Sequence, residues 1–372
     1  MAETPRRRAE GEGGPHETVE SRMRGTWLSV VMPTYNGAAY LDHALASLRA
    51  QDGNLGGVEI IAVDDGSTDG TVEALRAAGR DLPLRVVCRP HTGNWVAGAN
   101  LGLSLACGNY VGFLHQDDYW LPHRLRTLRG LTAAFSDAPL VVHPSLYVDQ
   151  AGRTVGRLRC PLKAGRGGGA TRVSPDVMVG RLLVQNFVAM PGHLVRRDAT
   201  LRVGGLDEEL WYAADWDLWL KLSALGGALY TPQPLTACRV HLASQTMSRG
   251  GRDLGPQLHA VLDRHLPVWS TYPAALTRGG AAIPRAARLS AEVNRFLARG
   301  SGGRPREAAV LLAHLAGLGF AGWWSFLRYS RVAERAVARL KAGLWGPFRN
   351  PRSRPPRVHA ARSPFPTQRV RP

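Results

Sequence analysis

The strongest constraint on this chain is an alternation of short apolar runs with helical periodicity between residues 27 and 125. Leu28-Ser29-Val30-Val31-Met32 is a β-rich run that ends at Pro33, and residues 38–50 then carry Leu41, Leu45 and Leu48 at helical spacing. Val58–Val63 is a second run of strand length. A helix over residues 70–78 follows it, with Ser67, Thr68 or Asp69 as cap and Gly79 beyond its end. Leu84–Cys88 is a third strand, residues 95–107 a helix stopped by Gly108, and Asn109–Leu114 a fourth strand; Pro122 opens another helix. The runs lack polar alternation, as strands buried on both faces do. The order β-α-β-α-β-α-β therefore predicts an α/β fold with a mostly parallel central sheet and flanking helices. Open sheets of this kind bind ligands beyond the carboxyl ends of their strands. The residues placed there are Tyr35-Asn36, Asp64-Asp65 and His115-Gln116-Asp117-Asp118.

Each acidic pair poses an electrostatic problem. Two adjacent carboxylates at a strand end repel each other and need donors or a cation. Asp64-Asp65 reads either as loop acids capping the next helix or as acceptors for a ligand's N–H and hydroxyl groups. Asp117-Asp118 reads either as an acidic turn or as ligands for Mg²⁺ or Mn²⁺, whose coordination shell a diphosphate would complete. Asp215 opens the run Asp215-Trp216-Asp217-Leu218-Trp219-Leu220. An acid there suits a helix N-terminus. With Trp211, Tyr212, Trp216 and Trp219 around it as an apolar wall or stacking platform, it also suits a general base.

Four ordered segments resemble the family 2 inverting glycosyltransferases of GT-A fold. They are Leu28–Asn36, Val63–Thr71, the stretch from Asn100 through Gly108-Asn109-Tyr110-Val111 to Asp117-Asp118, and Gly204-Gly205-Leu206-Asp207-Glu208-Glu209-Leu210 through Trp219. The resemblance covers about residues 27–245. It implies a nucleotide-diphospho-sugar transferase, with residues 26–125 as the nucleotide-sugar binding half and 126–266 as the acceptor-binding half of one domain. It implies donor contacts from Pro33, Tyr35, Asn36, Asp64, Asp65, Asn100 and Asp117, and Mn²⁺ or Mg²⁺ held by Asp118 and Asp117. Asp215 becomes the base that deprotonates an acceptor hydroxyl. His115 stands where the family usually has the first acid of its DXD motif, and Ala214 where an acid often precedes the base. His115 is then either a metal or phosphate contact or a spacer. These two departures keep a non-catalytic nucleotide-sugar binding protein open as the alternative. Arg239 and His241 are further candidates for the diphosphate, and Trp216 for the acceptor. The implied donor is a UDP- or dTDP-sugar; the acceptor is a glycan, a lipid-linked glycan or a small molecule.

Beyond the alternation, residues 163–175 read as a Gly-rich basic loop, Phe187–Val195 as a strand, 215–225 as a helix and 228–240 as extended. The chain has a formal charge of +18, but residues 267–372 alone hold 19 basic and 3 acidic residues. A protein coated uniformly for nucleic acid is thereby excluded, and no recognition motif favours nucleic acid as the partner of the tail. Residues 267–346 read as a helical basic extension, with residues 1–25 as a disordered leader and 347–372 as a disordered tail. Ala308–Leu327 carries no formal charge and is followed by Arg328, Arg331, Arg335, Arg339 and Lys341. It reads as a helix packed on the domain, as a peripheral membrane helix through 308–345, or as a span. Four scattered cysteines without a CxxC pair, and an N-terminus without an apolar signal core, lead to the expectation of a cytoplasmic protein, at the inner face of the membrane if the tail docks there.

Overall fold

The computed structural model describes residues 25–53, 55–241, 254–299, 305–330, 332–334 and 337. The expected leader (Gly25 apart) and tail lie outside them, as do residues 242–245 at the end of the resembling stretch 27–245 and Arg331, Arg335, Arg339 and Lys341.

The first half follows the sequence pattern: β1 (Leu28–Thr34), α1 (Ala38–Arg49), β2 (Val58–Asp64), α2 (Thr71–Ala78), β3 (Leu84–Cys88), α3 (Trp95–Leu105) and β4 (Tyr110–Phe113). The strands lie in the order β3-β2-β1-β4, all parallel. Successive residues of β1 go to opposite cores: Leu28, Val30 and Met32 to one, Val31 to the other with Ile61, Val63, Val111 and Phe113. This two-sided burial explains the unbroken apolar runs. β1 runs through Pro33 rather than ending there. The register with β4 closes at Val31 and Phe113, and the carbonyl of Val31 accepts from Leu114 N at 2.9 Å. Pro33, two residues on, faces the side where β4 has already ended, so no ladder bond is lost. Gly102 lets α3 lie against β1, since a Cβ there would come within 2.3 Å of Val31 Cγ1.

The second half extends the same sheet. Its elements are β5 (Tyr119–Trp120), α4 (Arg124–Ala134), β6 (Leu140–Val142), β7 (Ser145–Val148), β8 (Thr154–Leu158), β9 (Thr171–Val173), α5 (Pro175–Val184), β10 (His193–Arg196), α6 (Arg197–Arg202), α7 (Ala214–Gly226), β11 (Ala228–Tyr230) and β12 (Thr236–Arg239). β10 joins β4 antiparallel and the sheet continues as β10-β6-β11-β9, while β5-β12-β7-β8 form a second sheet. The division at residue 125 falls inside α4, and one sheet runs through both halves. Three local expectations change. Of Phe187–Val195 only the end is strand, because Pro191-Gly192 turns the chain into β10. The extended stretch 228–240 splits into β11 and β12 in different sheets. The Gly-rich loop contains β9, and Pro175 at its end opens α5.

Among the described residues four more α-helices follow: α8 (Leu254–Ser270), α9 (Ile283–Arg299), α10 (Pro305–Ala316) and α11 (Gly319–Tyr329). α8 passes unbroken through the expected boundary at 266, and α8, α9 and α11 pack on α5 as part of the main core. The apolar stretch 308–327 is two helices bent by 113° at their junction. Asp217 fastens this layer. It is fully buried on α7, with Arg264 Nη1 and His265 Nε2 of α8 both 2.8 Å from Oδ1 and Lys221 Nζ 2.7 Å from Oδ2. Burial pushes its carboxyl up, but the hydrogen bonds from His265 and Lys221 outweigh it and hold the pKa at about 2. A depressed acid stabilises the fold above its ordinary pKa and loses that contribution as pH falls through its folded one. Asp217→Asn should therefore cost about 2 kcal/mol at neutral pH. In urea titrations this difference from wild type should shrink as pH drops from about 4 towards about 2; a difference independent of pH would contradict it.

Candidate active site

The carboxyl ends of β1, β2 and β4 meet in one crevice. After β1, Tyr35 stacks on His91, ring centroids 4.1 Å apart and planes 19° from parallel, and forms a flat aromatic rim. The Gln116 side-chain amide pairs with the Tyr35 backbone in both directions, each bond 2.9 Å, and ties the β1 loop to the β4 loop. Gly37 makes room for this pair: a Cβ there would sit 2.2 Å from Gln116 Oε1. Asn36 takes a left-handed φ of 44°. Its N–H donates to Ser67 Oγ and its Oδ1 accepts from Thr68 N, both at 2.8 Å. Pro33, two residues before Tyr35, is buried.

The Asp64-Asp65 pair divides its work. Asp64 accepts from Thr34 Oγ1 at 3.0 Å, Ser67 N at 2.8 Å and Ser67 Oγ at 2.6 Å. Both its oxygens thus hold the turn, which is a structural task rather than the donor contact expected of it. Asp65 turns towards the loop before α3 and accepts from Thr92 N, Thr92 Oγ1 and Gly93 N at 2.8–3.2 Å, with Arg89 Nε at 3.3 Å. It thereby fixes His91 beneath Tyr35. Asp69, the last of the three cap candidates, accepts from Thr71 N at 3.2 Å at the start of α2.

At the end of β4, ring and carboxylate atoms of His115, Asp117 and Asp118 all lie within 4.8 Å of one another. Asp118 is buried and accepts from Arg239 N at 2.8 Å. Burial and the neighbouring Asp117 push its carboxyl well above the ordinary range. Burial also pushes Asp117 up, but the hydrogen bond with His241 (Nε2 2.8 Å from Oδ2) and the charges of His115 and His241 bring it below its ordinary value. His115 is lowered by burial, and its Nε2 is enclosed without a hydrogen-bond partner. An orphaned imidazole nitrogen beside two crowded carboxylates is a donor set that suits a divalent cation.

Arg239 is not available to a diphosphate. It is buried, with Nε donating to Asp117 O at 2.9 Å and Nη1 to the carbonyls of Asp149 and Gln150 at 3.0 and 2.9 Å, and it lies over the rings of Tyr40 and Tyr119. It fastens the acidic loop from behind.

Asp215 sits in the first turn of α7, partly accessible. Its Oδ1 accepts from Trp216 N at 2.6 Å and its Oδ2 from Asn186 Nδ2 at 3.2 Å. Burial outweighs these bonds and raises its pKa to about 6. Trp216 and Trp219 are core residues rather than a platform, the indole of Trp216 donating to Leu182 O at 2.8 Å. Trp211 and Tyr212 stay partly exposed. Asn100 is a clamp instead of a donor contact: it donates to Leu206 O at 2.9 Å and Glu208 Oε1 at 3.0 Å and accepts from Leu206 N at 3.1 Å, holding the Gly-Gly loop that leads to Asp215. Trp95 joins the two sides of the site. Its ring lies edge-on to His115 at 4.9 Å, and its indole donates to Trp211 O at 2.6 Å. Asn186, His91 and Trp95 were not singled out from sequence. Gln116 lay inside the acidic segment without an assigned role.

Residues 29–159 match the family model described as glycosyl transferase family 2. These residues belong to glycosyl transferase family 2. An uncharacterized glycosyltransferase of Nostoc sp. is 29% identical over 226 residues, 59% of this chain and 67% of its own length. One from Rickettsia prowazekii is 24% identical over 262 residues, 68% of this chain and 73% of its own. Among solved structures, Staphylococcus aureus TarS 1-349 in complex with UDP-GlcNAc superposes with a TM-score of 0.54 at 18% identity, over 86% of this chain and 93% of that one. The fold of the chain is the GT-A fold, with helices added at its C-terminus.

The role of Asp64 is testable without a ligand. Asp64→Ala leaves the Ser67 N–H without its acceptor and should lower stability by about 2 kcal/mol in urea unfolding with no nucleotide present. An unchanged midpoint would return Asp64 to the candidates for ligand contact.

Proposed function

We propose that this chain moves a sugar from a nucleoside-diphosphate donor to an acceptor hydroxyl by a single, metal-assisted displacement that inverts the anomeric centre. The observation that supports it most is a carboxyl of pKa about 6 on a helix N-terminus, joined through Trp95 to a three-ligand acidic crevice. A base must be ionised at working pH yet hold a proton once it has taken one; Asp215 meets both needs near neutrality. Its Oδ1 is fixed by Trp216 N and its Oδ2 by Asn186, so the carboxylate is aimed before an acceptor arrives. His115, Asp117 and Asp118 would hold Mn²⁺ or Mg²⁺. When bound, the cation supplies the positive charge that stabilises the departing nucleoside diphosphate. The Tyr35–His91 stack offers a flat face to the donor's base. TarS was captured with UDP-GlcNAc, and a UDP- or dTDP-sugar is the donor we propose here, with a glycan, lipid-linked or small-molecule acceptor.

Asp215→Asn should lose turnover by roughly a hundred-fold or more while a thermal-shift assay still registers the donor. Retained turnover would remove Asp215 from the mechanism. In wild type, kcat/KM should fall as pH drops below about 6, where Asp215 becomes protonated; activity that stays level down to pH 4 would contradict that assignment. Asp118→Ala should abolish the stabilisation by Mn²⁺ in thermal unfolding and the response of transfer to Mn²⁺. Wild-type transfer untouched by EDTA would rule out metal assistance.

A further inference from the structure

The helix α11 has two unlike faces. Gly322, Ser325 and Phe326 are buried, as is Leu318 just before them, and Leu318 and Phe326 belong to the main core. On the opposite side, Phe320, Trp323, Trp324 and Leu327 follow the helical spacing i, i+3, i+4, i+7 and are 89%, 39%, 60% and 65% exposed. Leu312 of α10 adds a further side chain at 64% exposure. Two Trp, a Phe and a Leu on one solvent face form an apolar patch of the kind that marks a docking surface.

The charge beside the patch indicates what docks. The Arg328 guanidinium lies 6.0 Å from the Trp324 ring at the edge of the face. From residue 328 to the end the sequence holds twelve basic residues and one acid, Glu334. Tryptophan and phenylalanine beside clustered arginine suit the headgroup boundary of an anionic bilayer. A span fits less well. Among the described residues no single helix is long and apolar enough to cross a membrane. The eleven residues of α11 reach about 16 Å against a hydrocarbon thickness of about 30 Å, and crossing would pull Leu318 and Phe326 out of the core.

We propose that the exposed face of α11, with Arg328 at its edge, docks in the plane of an anionic lipid surface. This surface is independent of the donor chemistry assigned to Asp215.

The test is co-sedimentation of the full-length protein with vesicles of phosphatidylcholine alone, or with about one third phosphatidylglycerol. Affinity for the anionic vesicles should be at least about ten-fold higher and should weaken with salt. Phe320→Ser with Trp324→Ser should reduce it at least about ten-fold without lowering the unfolding temperature, since both side chains face solvent. Phe320→Ser alone serves if the double variant is less stable. The proposal would be overturned by no vesicle binding, by equal binding to both vesicle types, by binding indifferent to these substitutions, or by bound protein that resists alkaline carbonate, which would make the segment a span. Self-association abolished by the same substitutions would also overturn it, by assigning the face to a second copy of the chain.

Discussion

Two adjacent carboxylates in a poorly hydrated crevice dominate this structure. Asp117 and Asp118 follow a fully buried strand, Asp118 itself buried and Asp117 half-buried. Everything around them answers that repulsion. The backbone N–H of Arg239 meets Asp118, the guanidinium grips the Asp117 carbonyl, and His241 faces the Asp117 side chain. These donors come from β12 and the residues after it, more than 120 positions away in sequence. The second sheet therefore exists in part to bring compensating groups to the end of the first. The compensation is incomplete, because the Asp118 carboxyl remains well above its ordinary range. A fold that leaves such a carboxyl beside an unpartnered imidazole nitrogen has prepared a place for positive charge.

The other half of the site is governed by position more than by charge. Asp215 owes its orientation to Asn186, and the carbonyl of Asn186 accepts from the side chain of Gln185, which in turn accepts from Ser290 and Asn294 of α9. Gln257 of α8 accepts from Tyr212 N, and Asp217 is locked to the same helix. The C-terminal helices thus brace the segment that carries Asp215 from two directions. They are not a detachable appendage, although their composition suggested one.

Much of the fold was legible because two-sided burial leaves a strong mark: β1, β2 and β4 read as largely apolar runs, and their carboxyl ends located the crevice. The division of labour inside the crevice was not legible. Asp64 and Asp65 are identical neighbours, yet one closes its own turn and the other holds the loop before α3. Asn100 and Arg239 are polar residues in plausible places, but their side-chain partners lie at least 89 residues away. Charge composition set a boundary at 266 that falls inside α8. Trp216 and Trp219 show the same limit: an aromatic beside an acid reads as a platform until packing shows it to be core.

The net charge of the chain belongs to residues outside the crevice, whose clustered side chains are mainly acidic. The account rests on one displacement at the anomeric carbon, with Asp215 on the acceptor side and the acidic crevice on the side of the leaving group. The most direct measurement is proton NMR of the transfer product formed from an α-linked nucleotide sugar, recorded before anomers equilibrate. The account predicts a β-linked product from the first turnover. An α-linked product would contradict it, because retention cannot arise from one in-line attack assisted by a single base.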